Sequence, residues 1–494
     1  MGSLVLFFAS VSRFARGRDR LQVVGSRNHM TDENVDRQAA EVRARQTAEA
    51  PLRRILRVRD GLAVTVGIVI GAGILRTPGL IAGYLGNPRS ILAVWALGGV
   101  VAATSTLVLA EMSAALPYAG GKYVYAKAAF GPVAGFVAGW SELLVTRAFS
   151  GAAKAVVIAE YIILLTGRGS VRVLAAFVVL SFILLHYGGL RTGTLFQNVT
   201  TTLKVAVLFG IAAAGLWAGD LRGFAEGSDF TPTYPALLGF ALAYQAVSFA
   251  YYGWEDAAKM AEETSDPGRS LPRILMGGAV AVAVLYLLIN VAFLSALTPT
   301  EMAGSVLVAR DAISGVLGET AGTLTILAGL LILLSSINVN FLGMPRVAFA
   351  LARDRLAPHA FTKVTKRGTP GPALLFISAW ILGLALTGAF EWLIRFMMLV
   401  AISVDLMVLL SFFRLQKVRP DLPRPFKVPA NPWLPGVTIL LYVILLAIIV
   451  VTQPGLTLGA GGMLVLILSG GLLTTRWRKD SSNQYRGFSG TGGE

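Results

Sequence analysis

The chain contains no cysteine, and that absence removes disulfides, thiolate metal sites and cysteine nucleophiles together. Histidine is almost as scarce. His29, His186 and His359 lie far apart, outside the apolar stretches or at an end of one, so neither a histidine metal site nor an imidazole pH switch is expected. Charge is thin as well, with 14% of residues Asp, Glu, Lys or Arg against about 25% in ordinary soluble proteins. What charge there is leans one way: 43 Lys and Arg face 27 Asp and Glu, for a net +16. Apolar residues make up 55% of the chain and glycines number 54. A chain of 494 residues has length enough for a large core but lacks the polar surface to enclose it. Its apolar residues fall instead in blocks of about 20, long enough to cross a hydrocarbon layer roughly 30 Å thick. This composition is that of a polytopic membrane protein.

Residues 1–55 are polar and arginine-rich, and read as a disordered cytoplasmic N-terminal tail. The Leu4–Ala9 run is too short for a signal-peptide core and has no base before it. Leu6 stands where myristoylation needs Ser or Thr. Met30 opens Met-Thr-Asp-Glu-Asn and reads as an alternative translation start. From Gly61 onward twelve apolar spans are expected, over 61–84, 90–114, 128–164, 171–187, 195–218, 235–258, 272–296, 318–348, 372–388, 393–413, 434–452 and 456–475. Helices are the expected form, because open strands cannot satisfy their backbone in lipid and no ten-residue alternation suggests a barrel. With a cytoplasmic amino terminus, every large basic loop falls on the same side, including 353–367, and both termini are expected to be cytoplasmic. That loop also suits anionic lipid. The net positive charge therefore needs no nucleic acid to explain it.

Two spans interrupt themselves. The first reads Val66-Gly67-Ile68-Val69-Ile70-Gly71-Ala72-Gly73-Ile74-Leu75-Arg76-Thr77-Pro78-Gly79. Its glycines and Pro78 weaken the helix at mid-membrane depth, and a second half starting there presents free amides to an anion such as a carboxylate. The sixth reads Ser248-Phe249-Ala250-Tyr251-Tyr252-Gly253-Trp254-Glu255, where released carbonyls suit a cation such as an ammonium. Small residues in membrane helices also serve simple packing, the better reading for Gly131, Gly135 and Gly139. Position separates the two readings. Broken helices at equivalent places five spans apart mark an inverted-repeat transporter with its substrate between them. The Gly-Ala-Gly is not a dinucleotide loop, since Arg76 holds the third glycine position.

The chain resembles the amino acid–polyamine–organocation superfamily, and within it the bacterial relatives of L-type amino acid transporters. The resemblance rests on an ordered set covering roughly 55–430: Gly71-Ala72-Gly73-Ile74-Leu75 with Pro78; Ala110-Glu111-Met112; Leu116-Pro117-Tyr118-Ala119-Gly120-Gly121-Lys122-Tyr123-Val124-Tyr125; and Gln197 with Lys204. Then come Phe249-Ala250-Tyr251-Tyr252-Gly253-Trp254, Glu262-Glu263-Thr264 with Pro267, Asn338, Arg346, Ala352-Arg353-Asp354-Arg355-Leu356-Ala357-Pro358 and Arg424-Pro425-Phe426-Lys427. It implies an all-α, 12-helix, LeuT-type membrane fold with a 5+5 inverted repeat and discontinuous helices 1 and 6. The repeats would occupy 56–220 and 232–415, helices 11 and 12 would occupy 416–476, and 477–494 would be a cytoplasmic tail. It further implies that a substrate α-carboxylate meets the amides of Gly71, Ala72 and Gly73. The amino group would meet carbonyls of Ile68, Val69, Phe249 and Ala250, with Tyr251, Gly253 and Asn338 completing the pocket and Phe249 closing over it.

Lys204, well inside span five, either snorkels to the interface or sets a fixed cation beside the broken first helix, where sodium-coupled relatives of the fold bind an ion. It is also a candidate proton carrier. Glu142 and Arg147 in span three are expected to pair with neighbouring helices. Asp405 in span ten reads as a structural carboxylate first and a coupling group second, and Arg76 as an outer-vestibule charge. The expected function is secondary active transport by alternating access, as sodium-independent exchange of neutral L-amino acids. The alternatives are proton-coupled symport of an amino acid or polyamine, and a non-transporting membrane sensor. No Gly-x-Ser-x-Gly, His-Glu-x-x-His or Walker loop is present, so an enzyme is not expected. Neither is a cofactor, a metal or a disulfide-linked heavy subunit. The composition suits a bacterial inner membrane.

Overall fold

The computed structural model describes residues 57–118, 120–187, 190–225, 232, 234–365 and 369–488, so the tail expected over 1–55 lies outside the described residues. Each expected apolar span contains a helix. Helices α1 (Val58–Val69) and α2 (Ala72–Leu85) share the first span and are bent by 44°. Asn87 starts α3 (Pro88–Ala115): its side chain accepts from the amides of Arg89 and Ser90, and Pro88 fills the first position, where no donor is needed. Span three, expected to begin at 128, is preceded by a separate helix. There α4 (Lys122–Phe130) ends at Gly131, whose φ of 93° turns the chain, and Pro132 starts α5 (Pro132–Ser141). A π-helical turn, Glu142–Arg147, joins α5 to α6 (Ala148–Thr166).

The chain continues through α7 (Val171–Tyr187), α8 (Leu190–Ala218), α9 (Arg222–Ala225) and α10 (Ala236–Tyr251), then a 3-10 helix over Trp254–Glu263. Next come α11 (Pro267–Ala296), α12 (Pro299–Gly304), α13 (Val308–Leu317) and α14 (Glu319–Arg353). A 3-10 turn at His359–Thr362 leads to α15 (Gly371–Ala385), α16 (Phe390–Val418), α17 (Trp433–Thr452) and α18 (Pro454–Phe488). No strand occurs among the described residues. By length and composition, seven of the described helices suffice to cross a membrane, or eight with α1–α2 taken as one span.

Burial has the pattern of a protein solvated by lipid. Leu184, Val173, Phe177 and Leu466 point outward and exposed, an arrangement costly in water and natural against acyl chains. Trp217 and Trp433 stand exposed at the ends of α8 and α17, where indoles anchor at a bilayer interface. By contrast α16 is buried over most of its length. The molecule is an integral membrane protein. Around its centre α2 packs on α10, α11 on both α1 and α3, and α14 on both α6 and α8. Glu111 ties two distant motifs together. Its carboxylate accepts from Arg424 at 2.8 Å and from the Val428 amide at 2.7 Å.

Candidate functional site

The break in the first span is local and complete. Ile70 leaves the helix in extended geometry (φ −66°, ψ 112°), and α2 starts at Ala72 after Gly71. The first amides of α2 therefore have no partner in their own helix and carry its positive end. Gly73 is required for contact rather than for conformation, because a Cβ there would run into the backbone of Ala250 on α10. The second break follows Tyr251. Tyr252 is extended and Gly253 sits at φ 118°, a region that disfavours side chains, before the 3-10 helix resumes. Glu255 holds this turn, its carboxylate accepting from the Gly253 amide at 3.1 Å. The Tyr286 hydroxyl sits between the breaks, 3.1 Å from the Val69 carbonyl and 3.3 Å from that of Ala250.

Between the breaks lies a cavity of about 20 Å³, room for about one water. One wall is Ile68, Val69, Gly71, Ala72 and Gly73, and another is Phe249, Tyr252 and Gly253. The third wall is polar: Thr146, Arg147, Ser150 and Lys154 from the span-three helix, with Ser336 and Asn340 from α14. Among the described residues, no carboxylate lines it. The Ser336 hydroxyl is buried without a hydrogen-bond partner, and a Cβ at Gly71 would collide with it. Lys204 is completely buried behind α1, where its ammonium donates to the Gly67 carbonyl and lies 3.4 Å from Ser335 Oγ. It does not snorkel.

Beneath the cavity, buried charges form a network. Lys122 meets Asp405 at 2.6 Å, Glu255 at 3.1 Å and the Tyr252 hydroxyl at 2.9 Å. Arg147 pairs with Glu142 at 3.2 Å and with Asp256, while Lys259 meets Asp256 at 2.7 Å and also binds Glu142. Residues five apart diverge around an α-helix. The π turn, with its longer repeat, brings Glu142 and Arg147 onto one face. Farther out, Tyr123 and Lys127 hold Asp354. Burial pushes that carboxyl up, but the Lys127 and Tyr123 hydrogen bonds hold it below the usual range.

The opposite end is open. A cavity of about 710 Å³ is lined by Arg76, Glu160, Phe390, Glu391, Trp392 and Arg395 among others. Arg76 pairs with Glu160 at 2.9 Å. Arg395 meets Glu391 at 2.5 Å and the Tyr84 hydroxyl at 2.9 Å. Phe249 and Phe390 pack edge to face at 5.8 Å and separate the two cavities.

Of the residues expected to meet substrate, Ile68, Val69, Gly71, Ala72, Gly73, Phe249 and Gly253 line the central cavity together. Ala250 and Tyr251 do not. Ala250 packs against Gly73, and Tyr251 turns away so that its hydroxyl donates to the Trp95 carbonyl at 3.1 Å. Asn338 is fully buried on another face of α14, accepting from His186 Nε2 at 2.9 Å. The neighbours Ser336 and Asn340 occupy the wall instead. Lys154, Thr146 and Ser150 escaped the sequence reading, although Arg147, Ser150 and Lys154 share the i, i+3, i+7 spacing of one helix face.

The profile of the amino acid permease family matches residues 58–472. The b(0,+)-type amino acid transporter 1 of Mus musculus is 27% identical over 416 residues, covering 82% of this chain and 84% of its own. The serine/threonine exchanger SteT of Bacillus subtilis is 27% identical over 396 residues, 79% of this chain and 89% of its own. The large neutral amino acids transporter small subunit 2 of Mus musculus is 28% identical over 388 residues, 76% and 73% respectively. All three are named as transporters or exchangers of amino acids, none as an enzyme.

Proposed function

The chain belongs to the amino acid permease family, and from that premise we propose that it is a sodium-independent exchanger of L-amino acids working by alternating access. The carrying observation is the central cavity. It brings unpartnered amides at the start of α2, carbonyls at the end of α1 and the second break around one small space. A zwitterion loses much hydration on entering a protein, and fixed dipoles of both signs offset that loss. The α-carboxylate takes the amides of Gly71, Ala72 and Gly73. The ammonium takes carbonyls of Ile68, Val69 or Phe249, and the Tyr286 hydroxyl lies within hydrogen-bond reach of the carbonyls of Val69 and Ala250. Neutral amino acids of small or medium size are the minimal cargo. Cationic amino acids and polyamines are disfavoured, because Arg147 and Lys154 line the cavity and, among the described residues, no carboxylate does.

Lys204 acts as the fixed cation, its ammonium on the Gly67 carbonyl beside Ser335 doing what sodium does in coupled relatives of the fold. The chain forms twelve transmembrane helices, with 56–220 and 232–415 as inverted repeats and both termini cytoplasmic by its basic loops. A bacterial inner membrane suits its composition. It works without a covalently attached heavy subunit, having no cysteine to make the link. A second reading, proton-coupled symport, draws on the ionic network, where Glu142, Glu255, Asp256 and Asp405 outnumber Lys122, Arg147 and Lys259 by one. Proteoliposomes decide between them. Uptake of labelled amino acids only into vesicles preloaded with amino acid, indifferent to sodium and to a proton gradient, is the expected result. Uptake into empty vesicles driven by inward protons would favour symport. Binding without any flux would make the chain a sensor.

A further inference from the structure

Lys154 is a half-buried charge whose only part in that scheme is to disfavour cationic cargo. It lies in the first half of α6 and stays partly accessible where it lines the central cavity. Its ammonium has two neutral acceptors, the Ser336 carbonyl at 3.2 Å and Asn340 Oδ1 at 3.3 Å. An ammonium carries three donors, so one is left without an acceptor among the described residues. Of the two cations that line the cavity, Arg147 is held by Glu142 and Asp256, whereas Lys154 has no carboxylate partner among the described residues. Lys154 as a simple tie between α6 and α14 would explain its two bonds. It would not explain its opening onto the cavity, nor the unpartnered Ser336 hydroxyl beside Gly71.

A zwitterion uses one anion site and one cation site. This cavity offers the carbonyls for a cation and two separate provisions for anions, the α2 amides with the Ser336 hydroxyl and the Lys154 ammonium. We propose that Lys154 is a specificity residue for cargo with a second carboxylate, so that acidic L-amino acids are preferred over their neutral isosteres. The inference rests on the reading of the helix breaks as the site for the amino acid's backbone. A buried, unpaired ammonium is costly, and a carboxylate arriving with the substrate offsets that cost. The contracted cavity must widen between α6 and α14 to admit such a side chain.

Glutamate and glutamine have nearly the same shape and differ in charge, so their ratio reads the proposal. With purified protein in proteoliposomes preloaded with unlabelled amino acid, glutamate should exceed glutamine in kcat/KM by roughly tenfold or more, the scale of one charge-assisted hydrogen bond. Lys154→Gln should bring the ratio to one or below, and Lys154→Arg should keep glutamate ahead. Glutamine equal to or better than glutamate in the unsubstituted protein would overturn the proposal. So would a Lys154→Gln protein that loses both alike, which would put Lys154 on the α-carboxylate. If no amino acid exchanges at all, the transport reading fails separately, and thermal unfolding still decides the inference. Glutamate should then raise the unfolding temperature of the unsubstituted protein more than glutamine does, and an equal or smaller shift would reject it.

Discussion

The two ends of the bundle are held together by different physics. At one end Lys122, Glu142, Arg147, Glu255, Asp256, Lys259 and Asp405 meet across α4, the π turn, the 3-10 helix and α16, with side chains that are 18% exposed or less. At the other, Arg76–Glu160 and Arg395–Glu391 flank an open cavity, and the Glu391 side chain is 43% exposed. Charges sealed from water interact strongly and leave a large penalty when one partner goes, whereas wet pairs are screened and exchange readily with solvent. In the proposed alternating-access cycle, the sealed end is thus the one that needs a compensating event to open. Glu255, on the Gly253 amide and on Lys122, ties this sealed end directly to the second helix break.

The largest expected effect tests the sealed end. Glu142→Gln removes one of the two carboxylates shared by Arg147 and Lys259, leaving both on Asp256, and should cost about 3 kcal/mol, read as denaturant or thermal unfolding in detergent. Glu391→Gln at the open end should cost only about 0–1 kcal/mol. Equal losses would erase the difference between the ends. Next, Lys204→Met removes the cation from Gly67 and Ser335 and should lower exchange by about tenfold or more. Undiminished exchange would make Lys204 a packing residue. Gly253→Ala forces a side chain to φ 118° with its Cβ 3.2 Å from Ile68 Cγ2. It should cost about 1–3 kcal/mol and depress exchange while leaving the helical circular dichroism spectrum intact.

The smallest effect is a pH dependence outside the bundle. The Asp354 carboxyl is held below its usual value in the folded protein, so its stabilising contribution is present above the unfolded carboxylate pKa and lost as pH falls through the folded one. Acid unfolding curves of the Asp354→Asn protein should therefore show a slightly weaker loss at low pH than those of the unsubstituted chain. Identical curves would show that the Lys127 and Tyr123 contacts add nothing.

What could be read from the amino acids alone divides by range. Both helix breaks were legible because Gly71 and Gly253 act on their own backbone. The limits of most spans were legible for a similar reason, since Asn87-Pro88 starts a helix by its local chemistry. Facing side chains were less so. Residues two apart on an α-helix point to nearly opposite sides, so naming Asn338 rather than Ser336 or Asn340 needed a rotation that packing sets. Pairings such as Lys122 with Asp405 join residues hundreds of positions apart, and composition carries no trace of them. Lys154 went unnamed there, because nothing along the chain marks it as a charge without a carboxylate partner. That distinction exists only once every neighbour is placed.

The absence of native cysteine makes one measurement especially direct. Two single cysteines, Ala389→Cys beside the open cavity and Ala257→Cys buried behind the ionic network, would be followed by maleimide labelling of the purified protein. Without amino acid, Ala389→Cys should react fast and Ala257→Cys slowly. Addition of an amino acid that the protein exchanges should slow the first and speed the second. Labelling rates at both positions that ignore such an amino acid would contradict alternating access around the two helix breaks.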